Sequence, residues 1–153
     1  MLPRRNFLTS TGALTLGAPA ILKAATAPLT TLGLIADAQY ADVEAENTRF
    51  YRASIGKLGN AVEQFNRQEL AACFHLGDLI DRDWRSYDAI LKPLAASRHR
   101  FHHLLGNHDF DVAAEYKNRV PERLGLTRRY SHLDLPGFRL VMLDTNDLST
   151  YAR

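Results

Sequence analysis

After the first 29 residues, the apolar residues of the chain occur in short runs separated by more polar segments. Residues 30–37 (TTLGLIAD), 70–78 (LAACFHLGD) and 99–109 (HRFHHLLGNHD) are bounded by polar or glycine-containing turns. Short apolar runs of this kind predict buried β-strands. Two further runs, residues 129–135 and 138–144, flank a Pro-Gly dipeptide and predict a hairpin.

The segments between the first three predicted strands have the spacing of amphipathic helices. In residues 49–66 five apolar side chains recur at intervals of four and three, which places them on one helix face. A second helix is predicted near residues 84–96, where Pro93 should kink or end the last turn. Helical connections favour parallel strands, because a parallel pair needs a crossover. The pattern therefore predicts an α/β fold. The helix face consists of Tyr51, Ile55, Leu58, Val62 and Phe65.

The first 27 residues have the composition of an export signal. A basic start (RRNFL) resembling a twin-arginine signal precedes a mildly apolar segment, residues 7–22, and the small residues Ala25-Thr26-Ala27. The apolar segment is shorter than the roughly 20 residues needed to cross a bilayer. We expect residues 1–27 to direct periplasmic or other export without a stable membrane anchor. A disordered basic tail or an uncleaved anchor is the alternative, and Pro28 leaves the cleavage site open.

Net charge and cysteine content exclude two classes of protein. Residues 1–27 hold three basic and no acidic residues, so their removal changes the formal net charge from +2 to −1. The remaining chain, residues 28–153, therefore lacks the basic footprint of a nucleic-acid-binding protein. Cys73 is the single cysteine, which excludes an internal disulfide framework, and its apolar surroundings predict a buried structural residue.

Oxygen-bearing side chains stand at the ends of the three predicted parallel strands. Asp37 closes the first strand, Asp78 the second and Asn107 the third. The carboxyl ends of neighbouring parallel strands share one crevice, so these side chains should converge there. Gln39 is two residues from Asp37 and in an extended chain would point to the same face. Carboxylates and amide oxygens suit a hard divalent cation, and Asp78 could bridge two ions. Helix capping or turn formation is the alternative for each residue.

Three motifs resemble those of the calcineurin-like metallophosphoesterases. The segments DAQ (37–39), GDLID (77–81) and GNHD (106–109) look like the D-x-H, G-D-x-x-D and G-N-H-[DE] motifs of that family, with Gln39 in place of the usual histidine. This departure, together with IADAQYAD, RFYRASI and FRLVMLDTNDLS, resembles the manganese-dependent ADP-ribose/CDP-alcohol diphosphatase branch. The likeness runs from about Leu32 to Leu148 and covers the first half of that family's domain.

The resemblance implies a fold, a cofactor and a reaction. The fold would be the N-terminal half of a four-layer α/β/β/α sandwich, with one sheet and its helices. Two divalent cations, Mn²⁺ or Mg²⁺, would bind a nucleotide-type phosphoanhydride such as ADP-ribose or a CDP-alcohol, which a metal-activated hydroxide would hydrolyse. Replacing an imidazole by the amide oxygen of Gln39 should favour Mn²⁺ or Mg²⁺ over Zn²⁺.

The resemblance also assigns roles to single residues. Asp37 and Gln39 would bind the first metal, Asp78 would bridge, and Asn107 would bind the second. His108 would act on the substrate as a proton donor or hydrogen-bond donor, with Asp109 fixing its orientation.

The residues around these motifs allow more than one interpretation. Asp81 is interpreted as a supporting carboxylate. Arg82 could contact a phosphate or form a salt bridge with Asp81 or Asp83. Arg49, and Arg52 after it, could contact a nucleotide or lie on a solvated helix face. Four further histidines are interpreted as structural, with neighbouring residues 102 and 103 on opposite faces of the third strand. They are His75, His102, His103 and His132.

The sequence lacks the histidines of the family's later motifs, a lone histidine after the fifth strand and a G-H-x-H. We therefore expect a domain truncated at its C-terminus that binds metal weakly. One sheet face would then lack a cover and could associate with another chain. The alternatives are a phosphomonoesterase, a cyclic-nucleotide phosphodiesterase, or a non-catalytic remnant that binds metal or nucleotide.

Overall fold

A computed structural model describes residues 30–152 of the chain. The predicted export signal, residues 1–27, lies outside them. Within the described part, no helix is both long and apolar enough to span a bilayer. The helices and strands follow one another in the order β1 (Leu32–Ile35), α1 (Ala53–Asn66), β2 (Ala72–His75), α2 (Ser86–Ala95), β3 (Phe101–His103), α3 (Ala114–Lys117), α4 (Val120–Arg123), β4 (Ser131–Leu135) and β5 (Phe138–Met142).

The first three strands form one parallel sheet in the order β1-β2-β3. This confirms the parallel arrangement predicted from the helical connections. Each strand is shorter than its apolar run, because the chain leaves the sheet before the polar motif begins. Ile35 is the last residue of β1, His75 the last of β2 and His103 the last of β3. The polar residues therefore belong to turns beyond the carboxyl ends of the strands.

Helix α1 begins four residues later than the apolar spacing predicted. Glu46 and Arg49 exchange two backbone hydrogen bonds of 2.9 and 3.0 Å, so the chain turns back on itself before the helix starts. The predicted helix face is otherwise confirmed, since Leu58 and Val62 are buried and Tyr51 is 3% exposed. Helix α2 contains Pro93 in its last turn and ends two residues later, as the sequence predicted.

The predicted hairpin is confirmed, but it does not join the parallel sheet. Strands β4 and β5 pair antiparallel, with Leu135 opposite Phe138 across the two-residue turn. They form a separate two-stranded sheet, so the expectation of a single sheet is wrong. Gly137 has a φ of +90°, a conformation that glycine adopts without strain. Beyond β5, the Asn146 side-chain amide donates to Leu105 O at 3.0 Å and ties this segment to the loop after β3.

Two short helices, α3 and α4, were not predicted. Trp84 packs face to face with Tyr116 of α3 at 5.0 Å between ring centroids. The guanidinium groups of Arg119 and Arg123 lie 5.4 and 5.8 Å from the Trp84 ring centroid, a cation–π geometry. Contacts with Trp84, which is distant in sequence, therefore hold these two single-turn helices in place. Local sequence periodicity does not predict them.

The parallel sheet has one face covered by helix and one face that is more open. On the covered face, Gly33 approaches the Phe65 ring of α1 so closely that a Cβ would lie 2.8 Å from it. Cys73 lies on this face with no exposed surface, which confirms its predicted burial. On the opposite face, the side chains of Leu34 and Leu76 are 55% and 44% exposed.

A buried histidine and a partly buried one lie side by side on the covered face. His75 is fully buried, and its ring centroid lies 5.8 Å from that of His103. Neither ring nitrogen of His75 has a hydrogen-bond partner within residues 30–152. Burial lowers the pKa of His75 to about 3 and that of His103 to about 4. His102 lies on the other face against Phe74, so the predicted alternation of the two neighbouring histidines is confirmed.

Acid should destabilise the fold through this histidine pair. Because the folded-state pKa of His75 is lowered, its stabilising contribution is present above about pH 6.5 and is lost as the pH falls. Between about pH 6.5 and pH 5 the histidine takes up a proton only in the unfolded chain. At about 1.36 kcal/mol per pH unit, the free energy of unfolding should therefore fall by about 2 kcal/mol over this range. Urea denaturation at both pH values should show a smaller difference for His75→Gln than for wild type. His132→Gln, at an exposed hairpin position, is the control, and equal pH dependence in all three proteins would contradict the prediction.

Candidate functional site

The turns that follow the three parallel strands lie directly against one another. The backbone N–H of Gln39 donates to Asp78 O at 2.9 Å, and that of Asp37 donates to Gly77 O at 3.2 Å. The third turn joins them because the His108 N–H donates to Asp78 Oδ1 at 2.8 Å. The structure therefore brings the DAQ, GDLID and GNHD motifs to one edge of the sheet.

The backbone at these turns adopts an uncommon conformation. Asp37, Gln39 and Asp78 have φ values of 54°, 42° and 58°, in the left-handed region that non-glycine residues rarely adopt. Residues held in this way often cluster at functional sites. The expectation that Asp37 and Gln39 share a face of extended chain is wrong, since both lie beyond β1 and are not extended. The hydrogen bonds to the GDLID turn, and not strand geometry, set their positions.

Two glycines allow the second and third turns to touch. A Cβ on Gly77, which has a φ of +104°, would lie 2.6 Å from Gly106 N. A Cβ on Gly106 would lie 2.1 Å from Asp78 Oδ1. Contacts this short do not occur in folded proteins, so only glycine permits the two backbones to approach at this distance.

Replacing Gly106 with alanine should displace the Asp78 carboxylate and weaken divalent-cation binding. The methyl group would occupy the position of Asp78 Oδ1, and the adjacent Asp78 N leaves no room for it to shift. We expect at least a tenfold loss of Mn²⁺ affinity in calorimetric titration. Gly59→Ala is the control, because a Cβ at that position meets no atom within 4 Å and, as at Gly106, the backbone is not in the left-handed region. Unchanged Mn²⁺ affinity in Gly106→Ala would count against a role for Asp78 in the site.

The carboxylate of Asp109 holds the second and third turns together through hydrogen bonds to the backbone of both. It is fully buried and accepts hydrogen bonds of 2.9 Å from the backbone N–H groups of Asp78, Leu79 and Gly106. The Tyr87 hydroxyl donates to Asp109 O at 2.9 Å. Burial raises the pKa of Asp109 to about 6, although the three amide donors oppose the shift. Asp109 is therefore a structural anchor of the motif turns.

Asp81, and not Asp109, contacts the ring of His108. His108 Nδ1 lies 2.7 Å from Asp81 Oδ1, with the two side chains 18% and 3% exposed. Both oxygens of Asp109 are instead occupied by backbone amides, so the expectation that Asp109 orients His108 is corrected. The interpretation of Asp81 as a supporting carboxylate agrees with its position. On its other side, the His108 ring faces Tyr151 at 5.7 Å between centroids.

A cluster of potential metal ligands forms around His108. One ligand atom from each of Asp81, His108 and Asp111 lies within 4.8 Å of the others, so this group could hold a metal ion. Arg49 and Arg82 approach the Asp81 carboxylate at 3.7 and 3.5 Å. Because two guanidinium groups already neutralise Asp81, the local charge opposes a further cation there.

The candidate substrate-binding arginines lie at the rim of the site. Arg82 is about half exposed and pairs with Asp81, one of the two salt bridges considered from the sequence, and its guanidinium donates to the Tyr51 hydroxyl at 3.2 Å. Arg49 is 51% exposed. Arg52 instead pairs with Asp42 and Glu44 of the preceding loop, which braces that loop.

The predicted metal ligands present a set of oxygen donors. Within residues 30–152, no hydrogen bond involves the side chain of Asp37 or Asn107. Asn107 precedes a 3₁₀ turn (His108–Phe110) but makes no side-chain cap, so the capping alternative does not explain it. Two carboxylates and two amide oxygens are ligands that Mn²⁺ and Mg²⁺ accept, so the donor set fits a hard divalent cation.

Four contributors to the site were not recognised in the sequence. Tyr87 lies within the predicted second helix, and nothing in its spacing marks the bond to Asp109. Asp111 lies two residues after the GNHD motif, which was the one available indication. Asn146 and Asp144 are buried in the segment LDTND, where the Asn146 amide also donates to Asp144 Oδ1 at 2.8 Å. The density of polar residues after an apolar strand could have identified this pair.

The chain belongs to the calcineurin-like phosphoesterase family, whose model matches residues 31–149. This match agrees with the sequence resemblance and with the fold described above. A curated relative from Danio rerio, named manganese-dependent ADP-ribose/CDP-alcohol diphosphatase, is 35% identical over 82% of this chain and 48% of its own length. The relative of the same name from Homo sapiens is 30% identical over 86% of this chain and 48% of its own length.

A solved structure shares the fold. The crystal structure of a dimetal phosphatase from Danio rerio matches with a TM-score of 0.70 and 33% identity, over 83% of this chain and 48% of that chain. The chain therefore spans about half the length of the relatives it matches.

Proposed function

We propose that this chain carries the metal-binding motifs of a hydrolase that acts on phosphoric esters or anhydrides, in particular a diphosphatase for ADP-ribose or CDP-alcohol compounds. The convergence of three oxygen-bearing turns beside the His108–Asp81 pair carries this proposal. The names of the relatives support the substrate class, and the likeness to a dimetal phosphatase supports two metal ions.

In the proposed site, Asp37 and Gln39 would hold one divalent cation and Asn107 a second, with the Asp78 carboxylate shared between the two. Mn²⁺ is the expected metal and Mg²⁺ the alternative, because all four donors are oxygens. When bound, such a pair of ions polarises a phosphoryl group and makes water acidic enough to act as a nucleophile near neutral pH. Asp109 keeps the turns in register through its three backbone hydrogen bonds.

His108 is the proposed proton donor to the substrate. Its Nδ1 faces Asp81, so Nε2 is the nitrogen left to contact a phosphoryl or leaving-group oxygen. The Asp81 carboxylate, 2.7 Å from Nδ1, orients the ring for donation from Nε2. Arg49 and Arg82 are proposed to contact substrate phosphate, because guanidinium groups bind phosphate oxygens by paired hydrogen bonds.

A substrate panel with Mn²⁺ tests the proposal. The metal-loaded full chain should hydrolyse ADP-ribose or a CDP-alcohol faster than p-nitrophenyl phosphate or cyclic AMP, and removal of the metal should abolish turnover. Zn²⁺ as the best activating metal would count against the assigned oxygen donors. Mn²⁺ binding without turnover of any substrate would favour a non-catalytic metal-binding role.

We also propose that the chain is exported through residues 1–27. The paired arginines and the apolar segment after them support this proposal. Replacing Arg4 and Arg5 by lysine should retain the protein in the cytoplasm of a bacterial host, as measured by cell fractionation. Equal periplasmic yield of both proteins would contradict a twin-arginine route.

A further inference from the structure

A small cleft opens next to the turn that carries two of the proposed metal ligands. It has a volume of about 150 Å³, and its lining includes Asp37 and Gln39 on one side. Arg49, Phe50 and Lys57 line it as well. A molecule that reached a metal at Asp37 and Gln39 could therefore extend directly against an aromatic ring and two cationic side chains.

Phe50 presents an unused aromatic surface in this cleft. Its side chain is 60% exposed, whereas Tyr51 beside it is 3% exposed. Within residues 30–152, no aromatic ring or guanidinium stacks on Phe50. Single exposed apolar residues are common on protein surfaces, but few of them line a cleft with candidate metal ligands. An exposed ring in that position is suited to stacking with a planar ligand group.

Lys57 supplies a positive charge that no acidic side chain neutralises. It is exposed, and it forms no ion pair within the described part of the chain. By contrast, Arg52 in the same region is already paired with Asp42 and Glu44. Lys57 therefore remains available for an anionic group, and it lines the same cleft as Phe50.

The cleft is held in shape by contacts on both sides. The Ser54 hydroxyl of α1 donates to Ala38 O, the backbone carbonyl between Asp37 and Gln39. The backbone bonds between Glu46 and Arg49 fix the turn that leads into Phe50. The helix that carries Lys57 and the turn that carries the metal ligands are thus joined directly, so the subsite is built before any ligand arrives.

We infer that this cleft is a nucleotide subsite in which Phe50 stacks on the nucleobase and Lys57 pairs with a phosphate group. This inference rests on the proposed function and names the part of the substrate that the chain itself recognises. Stacking uses the π-face that every base has, and the two hydroxyl-bearing residues of the cleft wall, Ser54 and Tyr51, are already hydrogen-bonded to Ala38 and Arg82. The subsite should therefore accept purine and pyrimidine nucleotides with similar affinity.

Binding of AMP and ribose 5-phosphate to the Mn²⁺-loaded full chain tests the inference, because ribose 5-phosphate has the same sugar and phosphate but a hydroxyl in place of the nucleobase. Calorimetric titration should show AMP binding about tenfold more tightly than ribose 5-phosphate, with CMP close to AMP. Phe50→Ala should remove most of this difference, and Phe50→Trp should retain it. Phe138→Ala, at a 41% exposed hairpin position, is the matched control and should bind as wild type.

Lys57→Gln should weaken AMP and ribose 5-phosphate by the same factor, since both carry the phosphate. Lys92→Gln, an exposed lysine of α2, is its control. Equal affinity of wild type for AMP and ribose 5-phosphate, or a difference that persists in Phe50→Ala, would overturn the subsite. Either result is compatible with the proposed hydrolysis, because metal binding by the proposed ligands does not depend on a nucleobase. Base-dependent binding without turnover would instead uphold the subsite and contradict the proposed function.

Discussion

Replacing His108 with glutamine should lower kcat for phosphoanhydride hydrolysis by about 10²- to 10⁴-fold, the range that a positioned proton donor contributes. Glutamine retains a polar side chain but cannot transfer a proton from the position of Nε2. Mn²⁺ affinity should stay unchanged, because the proposed ligands are oxygens of other residues. Steady-state kinetics and Mn²⁺ titration on the same protein preparations measure both quantities.

Two further variants make this experiment specific. Asp81→Asn should lower kcat less than His108→Gln, because the ring of His108 would keep its proton donor but lose the carboxylate that orients it at Nδ1. His132→Gln, on the exposed hairpin, should behave as wild type. Loss of Mn²⁺ binding in His108→Gln would contradict the account and would favour metal binding by the cluster of Asp81, His108 and Asp111.

Replacing Asp109 with alanine should lower the free energy of unfolding by about 3 kcal/mol or more. Three backbone N–H groups, of Asp78, Leu79 and Gly106, would lose their acceptor inside the protein. A buried donor left without a partner costs about 1–3 kcal/mol. Equilibrium urea denaturation, followed by the fluorescence of Trp84, the only tryptophan, measures the change.

Tyr87→Phe provides a milder test of the same anchor. It removes the single hydroxyl that donates to Asp109 and should cost about 1 kcal/mol, so it remains informative if Asp109→Ala does not fold. Asp134→Ala removes an exposed carboxylate that pairs with Arg139 and should cost less than about 1 kcal/mol. Equal stability of Asp109→Ala and Asp134→Ala would contradict the anchoring role.

The sequence predicted the features that depend on local pattern. Periodicity identified β1, α1, β2, α2, β3 and the hairpin, and the crossover rule gave the parallel order. Motif spacing brought Asp37, Asp78 and Asn107 to the same sheet edge, where the structure places their turns. Each of these conclusions depends on residues close in sequence or on a general rule of chain connectivity.

The remaining features depend on contacts between distant segments. Asp109 was expected to orient His108. Its carboxylate instead accepts hydrogen bonds of 2.9 Å from backbone amides. The positions of these amides depend on how the turns pack, which the sequence alone does not show. The left-handed conformations of Asp37 and Gln39 result from hydrogen bonds to the GDLID turn. The hairpin forms its own sheet, and no property of its sequence distinguishes that outcome from joining the parallel sheet.

Anomalous diffraction from crystals of the full chain grown with Mn²⁺ would test the metal assignment most directly. The account predicts two manganese peaks about 3.5–4 Å apart, with the Asp78 carboxylate between them, Asp37 and Gln39 at one peak, and Asn107 at the other. Peaks confined to Asp81, His108 and Asp111, or no peak beside Asp78, would contradict it.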